Sequence, residues 1–116
     1  MKVINSCSGQ DLLEMFGSAT VWLERNAAYI NSLNVFPVPD GDTGINMLLT
    51  MRSAVAEASR ATKESASAVA HAIAHGALMG ARGNSGVILS QILRGLAAML
   101  DEKECLEGSD LAAGLL

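Results

Sequence analysis

Asn34-Val-Phe-Pro-Val-Pro-Asp-Gly-Asp-Thr-Gly-Ile-Asn46 interrupts the chain between two stretches of helical periodicity. It reads as a short, stiff loop that feeds a helix N-terminus. Pro37 and Pro39 fix φ and push Phe36 and Val38 toward extended backbone, so Asp40 and Asp42 are presented at small entropic cost. Carboxylates on a rigid turn suit Mg²⁺, which takes one or two of them and leaves its other positions to water or phosphate oxygens. The helix that follows offers unpaired N–H groups and a positive dipole end, both attractive to anions. An Asp/Gly turn of purely structural purpose has the same composition and stays open as an alternative. An EF-hand is excluded, because the twelfth position counted from Asp40 is Met51 and not Glu.

Working outward, Ser8-Gly-Gln-Asp11 resembles a capping box that opens a first helix. Leu12, Phe16, Ala19, Leu23, Ala27 and Ile30 follow at alternating spacings of four and three, the helix period. Met15, Val21 and Trp22 widen this stripe, which predicts burial against at least two neighbours. On the other side of the loop a second helix is expected from about Ile45 to Ala61. Leu48, Met51, Val55 and Ala58 mark its inner face, with Met47, Ala54 and Ala61 beside it, and Arg52, Glu57 and Arg60 lie outside. Thr62 to Ser65 is a polar break. An alanine-rich third helix, about Ser67 to Met79, carries Val69, Ile73 and Ala77 in register and permits close axis-to-axis packing. His71 and His75 stand four apart on it and share a face. No third ligand sits at metal-site spacing, so they read as exposed or hydrogen-bonded helix residues.

Gly80-Ala-Arg-Gly-Asn-Ser-Gly86 is a second glycine-rich turn, with Ser85 expected to cap a fourth helix that runs to about Leu100. Such a turn cradles phosphate with bare amides, and Arg82 stands where its guanidinium reaches an anion. It is not a Walker A loop, since no Lys follows the last glycine and no strand precedes the turn. A plain helix–helix turn is the alternative. After a charged connector, Ser109 and Asp110 look like the start of a fifth helix over Leu111 to Leu116, too short to be stable alone. That end reads as a truncation, and residues 1–7 read as a short lead-in.

The totals fit one small helical domain. Of 116 residues, 50% are hydrophobic, but only Phe16, Trp22, Tyr29 and Phe36 are aromatic, and the formal net charge is −4. Without a Lys/Arg cluster, nucleic acid and anionic membranes are poor partners. The longest apolar run, Val87 to Leu100, is interrupted by Gln91 and Arg94 and is too short for a bilayer. Cys7 and Cys105 suggest free thiols and a cytoplasmic setting.

Leu33-Asn-Val-Phe-Pro-Val-Pro-Asp-Gly-Asp-Thr-Gly-Ile-Asn-Met47, taken together with Gly80-Ala-Arg-Gly-Asn-Ser-Gly-Val-Ile-Leu-Ser-Gln-Ile-Leu-Arg-Gly95, resembles the nucleotide-binding domain of the dihydroxyacetone kinase family. The Asn-Val-Phe-Pro-Val-Pro form is most similar to the ATP-binding subunit of bacterial fatty acid kinase. The resemblance implies an all-α antiparallel helical bundle, the N-terminal portion of an eight-helix barrel with nucleotide at one rim. It further implies that Asp40 and Asp42 hold Mg²⁺, and that Thr43, Gly44, Ile45 and Asn46 contact ATP or ADP. Gly83, Asn84, Ser85 and Gly86 would then form the phosphate turn. Dihydroxyacetone-type members carry a further Asp where this chain has Val35, with Asn34 the nearest polar substitute, so the number of bound metal ions stays open.

The reaction implied is γ-phosphoryl transfer to an acceptor presented by a separate protein or domain. A fatty acid carboxylate is already anionic at neutral pH and needs no general base, so no catalytic side chain is assigned. A dihydroxyacetone kinase or phosphotransferase subunit, and a helical module that binds no nucleotide, are the alternatives. A partial barrel is expected to expose an apolar edge of the first or fourth helix and to self-associate.

Overall fold

Helix-forming residues dominate the sequence, and in a computed structural model they build a bundle of five helices among the described residues, 6–33, 41–61, 65–101 and 105–115. Helix α1 spans Gly9–Ser32, α2 Thr43–Arg60, α3 Ala66–Met79, α4 Gly83–Met99 and α5 Gly108–Gly114. The expected capping box closes α1: Ser8 Oγ accepts from Asp11 N–H at 3.2 Å, and Asp11 Oδ2 accepts from Ser8 N–H at 3.2 Å. Ser65 caps α3 through the Ala68 N–H at 3.0 Å, so the polar break ends as a helix start.

Helices α2 and α3 form the centre. Each packs on the other and on α4, and α1 packs on both. Val69, Ile73 and Ala77 of α3 are all buried, as their register requires, against Met51, Ala54 and Ala58 of α2 and Leu93, Leu96 and Ala97 of α4. The small side chains set this distance: a Cβ on Gly76 would stand 2.9 Å from the Ala54 Cα. Helix α5, too short to hold alone, lies on α4, with Gly114 against Leu96.

Three expectations are corrected. Ala19, Met15, Val21 and Trp22 are exposed, while Leu13 and Thr20 are buried. The face of α1 turned toward its neighbours is the narrower Leu12–Leu13–Phe16–Thr20–Leu23–Ala27 stripe. Met15, Trp22 and Tyr29, seven apart, form a second apolar line that none of the described helices covers. The N-cap of helix α4 falls three residues early, at Arg82 and not Ser85. Finally, the lead-in ends in a strand: Ser6–Cys7 (β1) pairs antiparallel with Leu106–Glu107 (β2), in the register Ser6 to Glu107 and Cys7 to Leu106. Two-residue strands carry no period for a sequence reading to find. Cys7 and Cys105 are both free thiols.

The two histidines diverge to separate partners. His71 Nε2 meets Asp101 Oδ1. His75 Nδ1 lies 3.3 Å from Glu57 Oε1, and Arg60 donates to the other Glu57 oxygen at 2.8 Å. The Arg60 hydrogen bond is the main cause that holds the Glu57 carboxyl below the ordinary 4.5; partial burial opposes it and His75 adds to it. A depressed carboxylate pKa stabilises the fold above its unfolded value, and the contribution is lost as pH falls through the folded value. Glu57→Gln should therefore lower the thermal midpoint slightly at neutral pH. The gap from wild type should close as pH is taken below 4.5, as a pH series of melting curves would read.

Candidate functional site

Two helix N-termini meet at one end of the bundle. Helix α2 begins at Thr43 with Asp42 at the N-cap, and Asp42 makes no capping hydrogen bond with its side chain. Its first backbone bond runs from Asn46 N–H to Asp42 O at 2.9 Å, so the amides of Thr43, Gly44 and Ile45 precede the helical ladder. The Ile45 amide is taken from outside, donating to Asn31 Oδ1 of α1 at 3.1 Å. Gly44 is buried beneath it: an added Cβ would stand 2.9 Å from the Ala27 Cα and 2.9 Å from Asn31 Oδ1, and would run into the Ala27 carbonyl oxygen. Helix α1 thus seats and caps the start of α2.

Helix α4 repeats the arrangement. Its first backbone bond is Gly86 N–H to Arg82 O at 3.1 Å, and the Arg82 side chain makes no capping bond, so the amides of Gly83, Asn84 and Ser85 precede the ladder. Gly83 has φ +64°, a conformation that costs other residues strain, and the Asn46 amide group occupies the space its side chain would need. Gly86 is buried against Thr50 Oγ1, and the same oxygen accepts from Arg82 N–H at 3.1 Å. Asn46 and Thr50, one turn apart on α2, are therefore the surface on which the second turn sits. Asp42 is one turn from Asn46 in the other direction, next to that contact.

The structure brings together most of the residues singled out from sequence. Thr43, Gly44, Ile45 and Asn46 share one end of the bundle with Gly83, Asn84, Ser85 and Gly86, and Asp42 leads the first turn. Asp42, Gly83 and Asn84 are exposed, Thr43, Asn46 and Ser85 are half-buried, and Gly44 and Gly86 are buried. Asp40 and the Pro37–Pro39 lead-in lie outside the described residues, as do Asn34 and Val35. Among the described residues no group of three or more His, Cys, Asp or Glu gathers in a way that could hold a metal ion. A cation at Asp42 would need Asp40, water or ligand oxygens to complete its shell, which is the habit of Mg²⁺. Asn31 and Thr50 are the two residues that sequence reasoning missed. Thr50 had a signal, standing four after Asn46 on the same helical face; Asn31 had none short of the fold. Among the described residues no helix is long and apolar enough to cross a membrane.

Comparison with known proteins places the chain among relatives of one family. The family model described as the DAK2 domain matches residues 37–116. The chain is 43% identical over 112 residues to protein YloV of Bacillus subtilis (strain 168), a match that covers 97% of this chain and 20% of that protein. It is 40% identical over 111 residues to an uncharacterized protein of Staphylococcus haemolyticus, covering 96% of this chain and 20% of the other. An uncharacterized protein of Staphylococcus aureus (strain USA300) is 40% identical over 110 residues, again with 95% and 20% covered. The chain thus spans about a fifth of the length of the curated relatives it matches.

Proposed function

Because this chain belongs to the DAK2 domain family, we propose that its two adjoining turns are the Mg–nucleotide end of an ATP-dependent kinase. One observation carries the reading. Two helix N-termini, one led by Asp42 and the other opened by Gly83, are held side by side by the contact of Asn46 with Gly83. Amides that precede a helical ladder, at the positive end of the helix dipole, bind phosphate oxygens. A carboxylate beside them recruits the cation that neutralises those oxygens. In this proposal Asp40 and Asp42 hold Mg²⁺. Thr43, Gly44, Ile45 and Asn46 form the wall of the nucleotide site, and Gly83, Asn84, Ser85 and Gly86 receive the phosphates. The Ile45 amide already serves Asn31, so Ile45 contributes its place in the turn and not its N–H. Mg²⁺, when bound, supplies charge neutralisation across the phosphates.

The acceptor we propose is a fatty acid carboxylate, presented by a partner protein. Among the described residues of the two turns, Asp42 is the one carboxylate and is assigned to the cation, and a carboxylate acceptor requires no general base. Val35, in place of a further aspartate, favours this acceptor over dihydroxyacetone, and the dihydroxyacetone kinase or phosphotransferase subunit is the second reading. Titration calorimetry of the chain with ATP, with and without Mg²⁺, tests the site. Heat and a thermal shift that require Mg²⁺ are expected; no heat in either case would leave a helical module that binds no nucleotide.

We also propose that the chain self-associates. Met15, Trp22 and Tyr29 on α1, and Val87, Ile88 and Ile92 on α4, present apolar surface on both flanks of the bundle. Sedimentation should show dimers or larger species, and a purely monomeric solution at micromolar concentration would contradict this.

A further inference from the structure

Thr50 is fully buried in the middle of α2, a helix whose inner face is otherwise apolar. A threonine in that setting has a cost. Its hydroxyl must find a partner, and the one always within reach, the carbonyl one turn back, slightly weakens and bends the helix. Valine would fill the same space without either cost. The hydroxyl does donate to its own helix, to Asn46 O at 2.8 Å. Thr20 and Ser90 do the same on theirs, to Phe16 O at 2.8 Å and to Val87 O at 2.7 Å. Thr50 differs in reaching across: its oxygen also accepts from the backbone N–H of Arg82, the residue at which α4 begins. The two bonds end at chemically informative places. One is the carbonyl of Asn46, whose side chain covers Gly83; the other is the amide directly ahead of the glycine turn.

We propose that Thr50 is a positioning residue that locks the glycine turn at the start of α4 onto the carboxylate-led turn at the start of α2. Cation ligation on one turn and phosphate contact on the other then act as a single unit. Without the hydroxyl, the Arg82 N–H has no acceptor in a half-buried place, and Gly86 rests on a methyl group that anchors nothing on the α4 side. Helix α4 is then free to shift relative to Asn46, and both helix N-termini no longer hold one fixed spacing. A Mg–nucleotide held by Asp42 on one turn and by the amides of Gly83 to Ser85 on the other would need that spacing, since both turns would act on one ligand. Nucleotide without Mg²⁺ can still lie on one turn. The ligand in this inference rests on the nucleotide reading above, whereas the locking contact rests on the hydrogen bonds alone.

The experiment compares wild type, Thr50→Val and Thr50→Ser in the full chain, with three measurements on each. Amide hydrogen exchange reads the lock directly: the Arg82 N–H should be protected in wild type and in Thr50→Ser, and exchange at least tenfold faster in Thr50→Val. Calorimetry with ATP reads the coupling. Thr50→Val should lose at least tenfold of its affinity for ATP with Mg²⁺, and at most about twofold without it, and Thr50→Ser should restore the wild-type ratio. Circular dichroism melting confirms that each variant is folded. An Arg82 amide that exchanges freely in the wild-type chain would overturn the lock without any variant being needed. Equal loss of affinity with and without Mg²⁺ in Thr50→Val, or failure of Thr50→Ser to restore the ratio, would overturn the coupling. Absence of ATP binding in wild type, with Arg82 protected and Thr50→Val deprotecting it, sinks the nucleotide reading and leaves the lock standing.

Discussion

Gly44→Ala is expected to destabilise the fold by roughly 2–4 kcal/mol, a large fraction of the net stability of a small domain. The methyl group would be driven into the Ala27 carbonyl oxygen and stand 2.9 Å from the Ala27 Cα, and both are helix backbone that cannot step aside. Relief comes only from moving the start of α2 away from α1, and that movement also breaks the bond from Ile45 N–H to Asn31 Oδ1. An overpacked contact of this kind costs about 1–3 kcal/mol, and a lost helix cap adds about 1. The thermal midpoint should fall by roughly 10–20 °C. Gly17 provides the opposite sign. It lies inside α1 with nothing within 4 Å of an added Cβ, so Gly17→Ala should stabilise by about 0.5–1 kcal/mol through helix propensity alone. Melting curves of both variants decide the matter. If Gly44→Ala melts at or above wild type, α2 does not seat on α1 in the way described.

How far the sequence could be read depended on the range of the interaction behind each feature. Local devices were legible. The Ser8/Asp11 box, the Val69–Ile73–Ala77 register and the two glycine-rich turns are settled within a few residues; the structure shows the box, the register, the second turn and, of the first, the part from Gly41 onward. The apolar width of α1 was legible as well, but not its use. A helix with Leu12, Phe16 and Leu23 on one line and Met15, Trp22 and Tyr29 on another has two faces to offer, and only packing decides which is covered. The start of α4 was misplaced because Ser85 is the stronger cap by composition. Arg82 takes that position instead, since Thr50 on another helix holds its amide. Asn31 illustrates the same limit. A cap supplied by a side chain 14 positions earlier has no signature in the stretch it caps.

For the candidate site, the sequence supplied the chemistry of each turn, and the adjacency came from the fold. Neither turn is specific on its own: an Asp/Gly turn is common, and a glycine turn ahead of a helix is commoner still. What sets them apart here is that α2 and α4 run parallel, with α3 returning between them, so both of their N-termini fall at one end. Two of the contacts between the turns, Asn46 with Gly83 and Thr50 with Gly86, would be lost with any larger residue at the glycines. The dipole ends of two helices are close together there, an arrangement that repels cations and raises the value of an anion or of a carboxylate nearby. Asp42 sits in that field.

Asp42→Asn should abolish Mg²⁺-dependent nucleotide binding, and Asp40→Asn should do the same. For Asp42 the structure makes the result interpretable. Its side chain makes no capping hydrogen bond, and asparagine is as good a residue as aspartate at an N-cap, so the start of α2 should survive the exchange. What the amide removes is the negative charge, and with it the attraction for a hard cation, since Mg²⁺ binds carboxylate and phosphate oxygen far better than a neutral side-chain carbonyl. The phosphates lose their counter-charge along with the ion. At a nucleotide concentration one hundred times the dissociation constant, wild type should gain about 2.7 kcal/mol, a rise in the thermal midpoint on the order of 10 °C. Either variant should show no rise with Mg²⁺ and ATP relative to its own melting point without ligand. Unchanged ATP affinity in both variants would refute the metal assignment. A loss confined to Asp40→Asn would move the cation to the earlier carboxylate and leave Asp42 as a helix cap that only tunes the field around it.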